Sequence, residues 1–107
     1  MNNFFLKSVA IILVILHIRI MESIYKQLVN INLKLAHLLR YLRKQNNWTQ
    51  EYLAEISTID YKHIQRLESV KYISDIRFST LLKLATAFNL NALDFLRYIL
   101  LPEEINR

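Results

Sequence analysis

The sequence predicts an all-α fold, and three observations carry that prediction. The chain has 107 residues with no glycine and one proline, so the tight turns that β-hairpins need are hard to build. Apolar residues recur at helical spacing over several turns: Ile24, Leu28, Ile31, Leu35, Leu38 and Leu42 stand alternately four and three apart. Side chains suited to capping helices precede the later apolar runs, at Thr49, Asp60, Ser79 or Thr80, and Asn91. The length is that of one domain with one small core.

Residues 1–20, MNNFFLKSVAIILVILHIRI, differ from the rest. Val9–Leu16 holds no polar residue, and Lys7, His17 and Arg19 flank it. A spanning helix needs about 20 apolar residues, which Phe4–Ile20 approaches. No small-residue cleavage site follows, which argues against a secretory signal. Three readings stand: a membrane anchor, an extra helix packed on the domain, or a stretch upstream of a true start at Met21. The third is favoured, because MESIYKQ reads as an ordinary polar N-terminus. It implies a cytoplasmic protein; an inner-membrane tether follows only if residues 1–20 belong to the mature chain.

Residues 21–34 read as a helical extension. The first half of the Ile24–Leu42 stripe is either a separate helix, capped by Asn30 or Asn32, or continuous with the second half. A stripe this short fits core packing or a dimer seam. Asn46 and Asn47 end it, and Trp48 is expected to plug the junction between the first two helices. Thr49 then opens a helix with Gln50 and Glu51 in its first turn, where a carboxylate suits the positive end of the dipole. Leu53, Ala54 and Ile56 face inward. Ser57, Thr58 and Ile59 break the pattern before Asp60 caps YKHIQRLE. There Ile64 and Leu67 share the inner face, leaving Tyr61, Lys62, Gln65 and Arg66 on the outer one. Two short helices joined by a tight turn, the second with donors outward, describe a helix-turn-helix.

SVKYISDIR, after Glu68, has no helical period and reads as a loop. Ser79 or Thr80 caps a fourth helix with Leu81, Leu84, Ala85 and Phe88 inward, stopping at Asn89. Asn91 caps the fifth, Ala92–Leu100, with Leu93, Leu96 and Leu100 inward and Pro102 beyond it. EEINR is polar, and the domain is taken to end at residue 98 with a C-terminal tail over 99–107.

The chain carries a net charge of +5. That excess fits DNA, RNA or an anionic membrane. Placement says more than total: Arg40, Arg43, Lys44, Lys62, Arg66, Lys71 and Arg77 gather in the middle of the chain. There is no cysteine, which excludes disulfides and a cysteine-based zinc site. No Gly-rich phosphate loop, HExxH or convergent Ser/His/Asp set is present, so an enzyme is the poorest class. No cofactor and no metal site is implied.

The pattern Leu39-Arg40-Tyr41-Leu42-Arg43, Thr49-Gln50-Glu51, Leu53-Ala54, Ile59, Ile64, Glu68 and Thr80-Leu81-Leu82-Lys83-Leu84-Ala85 resembles the phage Cro/repressor-like, or XRE-type, helix-turn-helix family. The resemblance covers about Leu35 to Leu96. It implies a five-helix lambda-repressor-like domain over residues 35–98, with the apolar N-terminal segment as an addition. The family usually has glycine where Asn47, Thr58 and Val70 stand here, and a connection about two residues shorter between Glu68 and Ser79.

The resemblance implies a partner, double-stranded DNA, and a homodimer on a two-fold site, formed through the fifth helix or residues 21–32. It places Tyr61, Lys62, Gln65 and Arg66 at base-facing positions. Arg66 suits guanine and Gln65 suits adenine, while Tyr61 suits a thymine methyl or a phosphate. Gln50 takes the position that typically binds a phosphate and braces the reading helix. His63 and Lys71 lie among groups that contact phosphate. Arg43 and Glu68 match a structural ion pair joining the first helix to the end of the third, buried or exposed. The function implied is sequence-specific DNA binding as a small, repressor-like transcriptional regulator. The rival is a protein-interaction module, an antitoxin or a membrane-tethered adaptor, that keeps the fold and reads no DNA.

Overall fold

The structure, a computed structural model, describes residues 2–101. It contains five helices and, among the described residues, no strand: α1 (Asn2–Gln45), α2 (Gln50–Ser57), α3 (Tyr61–Leu67), α4 (Phe78–Ala87) and α5 (Ala92–Leu100). The C-terminal tail expected over 99–107 starts too early, because Ile99 and Leu100 belong to α5 and Ile99 is buried in the core; residues 102–107 lie outside the described residues. Leu101 itself is extended (φ −102°, ψ 111°), as the steric demand of the following proline requires.

α1 is one continuous helix of 44 residues. Of the two readings for its middle, the separate helix fails. Asn32 is not a cap; it lies buried on the helix's inner side. Its amide group donates to the Leu28 carbonyl at 2.8 Å and to the Ser74 carbonyl at 3.1 Å, and its oxygen accepts from the Ser74 amide. One side chain thus pins the long α3–α4 loop to α1. The inner face runs through Asn32, Leu35, Ala36 and Leu39, with Ile31, Leu38 and Leu42 half-buried beside it. Ile24, at the start of the expected stripe, is exposed. So are the apolar residues from Phe4 to Met21, and the reading in which this segment packs on the domain does not hold for the described residues.

Three helices end the same way without a glycine. Asn47, Thr58 and Asn89 are left-handed, with φ of 55°, 58° and 55°. In each case two backbone amides reach back to carbonyls of the last turn: Asn47 to Lys44 and Trp48 to Arg43, Thr58 to Glu55 and Ile59 to Ala54, Asn89 to Thr86 and Leu90 to Ala85. This is the Schellman arrangement, in which the residue after the left-handed one is commonly apolar and packs back on the helix. Trp48, Ile59 and Leu90 fill that place, and all three join the core or pack against it. Two of the three glycine positions of the family are therefore left-handed here. Val70 does not have positive φ, so its backbone makes no demand for glycine.

α1 packs against α3 and α5, α2 against α3 and α4, and α4 against α5. Leu35, Leu39, Leu53, Ile64, Leu84, Phe95 and Ile99 are the fully buried centre. Two expectations need correction. α4 starts earlier than Ser79 or Thr80 could allow as caps: Arg77 is its N-cap, without a side-chain cap bond, and Thr80 is buried inside the helix. The Arg77 carbonyl already accepts from the Thr80 and Leu81 amides, which fixes the first turn there. In α5 the buried residues are Phe95 and Ile99, with Leu96 at the margin, while Leu93 is 64% exposed and Leu100 55%. Most of this short helix is apolar, so spacing permits two stripes, and the one carrying the phenyl ring buries more area.

Trp48 stacks on Phe88 with ring centroids 5.2 Å apart and meets Tyr52 edge-on. It seals the corner between α1 and α2 against the end of α4, a wider junction than the sequence suggested.

Candidate nucleic-acid interface

The candidate site is built on α2, the turn, and α3. Thr49 caps α2 by accepting the Tyr52 amide at 3.0 Å, and Asp60 caps α3 by accepting the Lys62 amide at 3.2 Å. Ser57, buried in the last turn of α2, donates its hydroxyl to the Leu53 carbonyl. Ile64 and Leu67 anchor α3 inward. Tyr61, Lys62, Gln65 and Arg66 then stand exposed together on the outer face, with His63 half-buried at its edge. Lys71 stands apart, exposed on the loop beyond α3, its amide donating to the Ser69 hydroxyl.

What fixes the outer face is a buried carboxylate. Glu68, the C-cap of α3, has 2% of its side chain exposed and forms a two-pronged pair with Arg43. Arg43 Nε donates to one oxygen at 2.9 Å and a terminal nitrogen to the other at 2.9 Å, while its remaining nitrogen donates to the Trp48 carbonyl at 3.0 Å. The hydrogen bonds to Glu68 outweigh partial burial and raise the Arg43 pKa above its ordinary value. Gln50 adds a third donor to the Glu68 carboxylate at 3.2 Å. Arg40 donates to the Glu68 backbone carbonyl at 2.6 Å. The end of α3 is thus tied to α1 twice and to the start of α2 once. Such a carboxylate is satisfied on both oxygens, which is the condition for burying a charge at all.

These bonds divide the basic cluster seen in sequence. Arg40 and Arg43 are committed inside the domain, and Lys62 and Arg66 are free on the outside. Gln50, half-buried, holds Glu68 rather than standing free. The roles of Arg40 and Asn32 carried no sequence signal, because their acceptors are backbone carbonyls of residues far along the chain.

The outer face has some order of its own. Gln65 donates to the Tyr61 hydroxyl at 2.9 Å. The Tyr61 hydroxyl also faces Glu51, and hydrogen bonding to that carboxylate raises its pKa. Glu51 is lowered, first by its own backbone amide at the start of α2 and next by Tyr61. Gln65 and Tyr61 are near solvent, so the bond between them can open at small cost when a ligand offers better partners.

A helix-turn-helix family model matches residues 39–95, more than half of the chain. The match spans the end of α1 through the first four residues of α5 and encloses every bond just described around Glu68. The chain belongs to the helix-turn-helix family. Its Cro/repressor-like, XRE-type character and its five-helix all-α domain follow from that match and from the fold. Members of this family are DNA-binding regulators in general. No curated protein matches the chain.

Proposed function

We propose that this protein is a sequence-specific, repressor-like transcriptional regulator that reads double-stranded DNA with α3, as a homodimer on a two-fold site. The observation that carries the reading is the outer face of α3. Lys62, Gln65, Arg66 and Tyr61 are exposed together there, on a helix whose other side is locked by Ile64, Leu67 and the Glu68 cluster. A helix held this firmly can enter a major groove without reorganising, and preorganisation spares binding the cost of ordering it.

Arg66 presents the planar donor fork that matches guanine O6 and N7, and Gln65 can exchange Tyr61 for the adenine edge. Lys62, Tyr61 and the edge residue His63 reach phosphates, as does Lys71 from the loop. Gln50 acts from behind, bracing α3 through Glu68. A second copy docks on the apolar residues that α5 leaves exposed, Leu93 and Leu100. Repression follows by occluding polymerase from the bound site, in the compartment that holds the DNA.

The test is a fluorescence anisotropy titration of the full chain against mixed-sequence duplex at two salt concentrations, then a binding-site selection. Binding is expected at low salt and weaker at high salt. On the selected site Arg66→Ala costs about 1–3 kcal/mol and relaxes specificity at one base pair. Lys62→Ala weakens all duplexes alike and reduces the salt slope by about one. No binding at low salt, with Arg66→Ala indistinguishable from the parent chain, rejects the proposal.

A further inference from the structure

The helix-turn-helix domain accounts for α1 only from about Leu28 onward, where its side chains begin to be covered. The preceding part of the same helix is apolar, and nothing covers it. Ile11, Ile12, Leu13 and Val14 are consecutive, so at 100° per residue they point to four sides of the helix, and each is 56–60% exposed. Phe4, Phe5 and Leu6 repeat the pattern nearer the start. The polar residues that interrupt the run, Lys7, Ser8, His17 and Arg19, do not gather on one side. A helix lying in a membrane surface needs one polar face, and this one has none. A second copy of the chain would cover one stripe and leave the others in water. A medium apolar on every side is required.

We infer that Phe4–Ile20 crosses a lipid bilayer and tethers the DNA-binding domain to it. The stretch is about 26 Å long at 1.5 Å per residue, against a hydrocarbon core of about 30 Å. Lys7 and Arg19 lie near its two ends, where long basic side chains reach the headgroups and the bilayer thins locally to match. Its most apolar 18-residue window has no buried residue to give up on insertion. Charge sets the direction. Arg19 at the last turn of the span and Lys26 and Lys34 after it stand against Glu22, while Lys7 is the one basic side chain at the other end. Basic residues near the end of a span stay on the cytoplasmic side, which keeps the domain with the DNA.

The tether is also stiff. α1 runs unbroken from the span into the domain core, with no glycine or proline between. About 10 Å of exposed helix, Met21–Gln27, separates the two. The inference does not depend on which side chains of α3 meet DNA, and its test leaves DNA out.

The full chain is synthesised in a cell-free reaction with vesicles of phosphatidylcholine and phosphatidylglycerol, then floated on a density gradient after washes in high salt and in alkaline carbonate. It is expected to float through both washes. Leu13→Arg combined with Val14→Arg should cut the floating fraction more than tenfold, while Phe78→Arg, at the exposed start of α4, leaves it unchanged. Trp48 fluorescence, which reports the packed corner beside Phe88, shows whether each variant's domain is folded. Four results overturn the inference: a parent chain that stays in solution as a monomer or discrete oligomer, release by either wash, equal loss of flotation with Phe78→Arg, or an intact mass beginning at Met21 when the gene is expressed behind its own upstream DNA.

Discussion

The two ends of α1 are the same secondary structure under opposite rules. At its C-terminal end Leu35, Ala36 and Leu39 are wholly buried, and residues such as Tyr41 and Lys44 face water. At its N-terminal end apolar residues face outward on every side. Helicity therefore says nothing about environment, and the angular spread of apolar residues says nearly everything. A single stripe requires one packed surface; a full girdle requires a surrounding medium.

The sharpest way to break this comparison is to shave one leucine at each end. Leu39→Ala should destabilise the domain by about 2–5 kcal/mol, since it removes a fully buried side chain and leaves a cavity. Leu13→Ala should leave domain stability within about 0.5 kcal/mol. Denaturant unfolding followed by Trp48 fluorescence reads both. Equal effects would mean that the two ends share one cooperative core. Next in size is the ion pair on the packed end. Glu68→Ala leaves the Arg43 guanidinium, with 15% of its side chain exposed, without its carboxylate, and also frees Gln50. The expected loss is about 3 kcal/mol, and replacing Arg43 and Glu68 together by apolar residues should cost less than that. Additive costs in a double-mutant cycle would show that the pair is not coupled.

A smaller effect concerns the turns. Thr58 holds a left-handed conformation that a β-branched side chain resists, at roughly 1–2 kcal/mol, while glycine adopts it freely at some cost in chain entropy. Thr58→Gly should raise the melting temperature by the equivalent of about 1 kcal/mol. Val70→Gly, at the other family glycine position, should lower stability by a few tenths to about 1 kcal/mol, since no positive φ rewards it. Neither change should alter the helicity or exposure of residues 3–20, which make no contact with either turn. A loss of stability with Thr58→Gly would remove backbone strain as the explanation.

How much of this was legible follows from the range of each interaction. Thr49, Asp60 and Asn91 cap where the sequence placed them, because a cap is decided by two or three neighbouring residues. The inner face of α3 was equally plain, with Ile64 and Leu67 the only aliphatic residues in its run. The buried side of α5 was not, since apolar residues there allow two stripes and the partners on α1 and α4 choose between them. The burial of Glu68 could not be read either. It depends on Arg43, Gln50 and Arg40 arriving from two other helices; the family resemblance supplied the Arg43–Glu68 pair, but neither its burial nor the bonds from Gln50 and Arg40. Asn32 looked like a helix start because asparagine commonly is one; its partner, Ser74, lies 42 residues away.

The smallest expected effect joins the packed end of α1 to the outer face through charge. Glu51 is held below the usual carboxylate range by its own backbone amide first, then by the Tyr61 hydroxyl, with Thr49 and the more distant Arg43 adding to it. A depressed carboxyl pKa stabilises the fold at every pH above the unfolded value, and that contribution fades as the pH falls through the folded value. Because Glu51 is fully exposed, solvent screening keeps the effect on stability small, and the group's own titration is the better readout. Carbon-13 NMR of the side-chain carboxyl should show Tyr61→Phe moving Glu51 upward yet still short of an unperturbed glutamate, since its backbone amide remains. Arg43→Met should move it less. The reverse partner follows with the opposite sign: Glu51→Gln should bring the raised Tyr61 hydroxyl down, because the carboxylate is the first cause of its shift. If Tyr61→Phe leaves Glu51 where it was, the hydroxyl does not bond the carboxylate, and the order ascribed to the outer face of α3 reduces to the single bond from Gln65 to Tyr61.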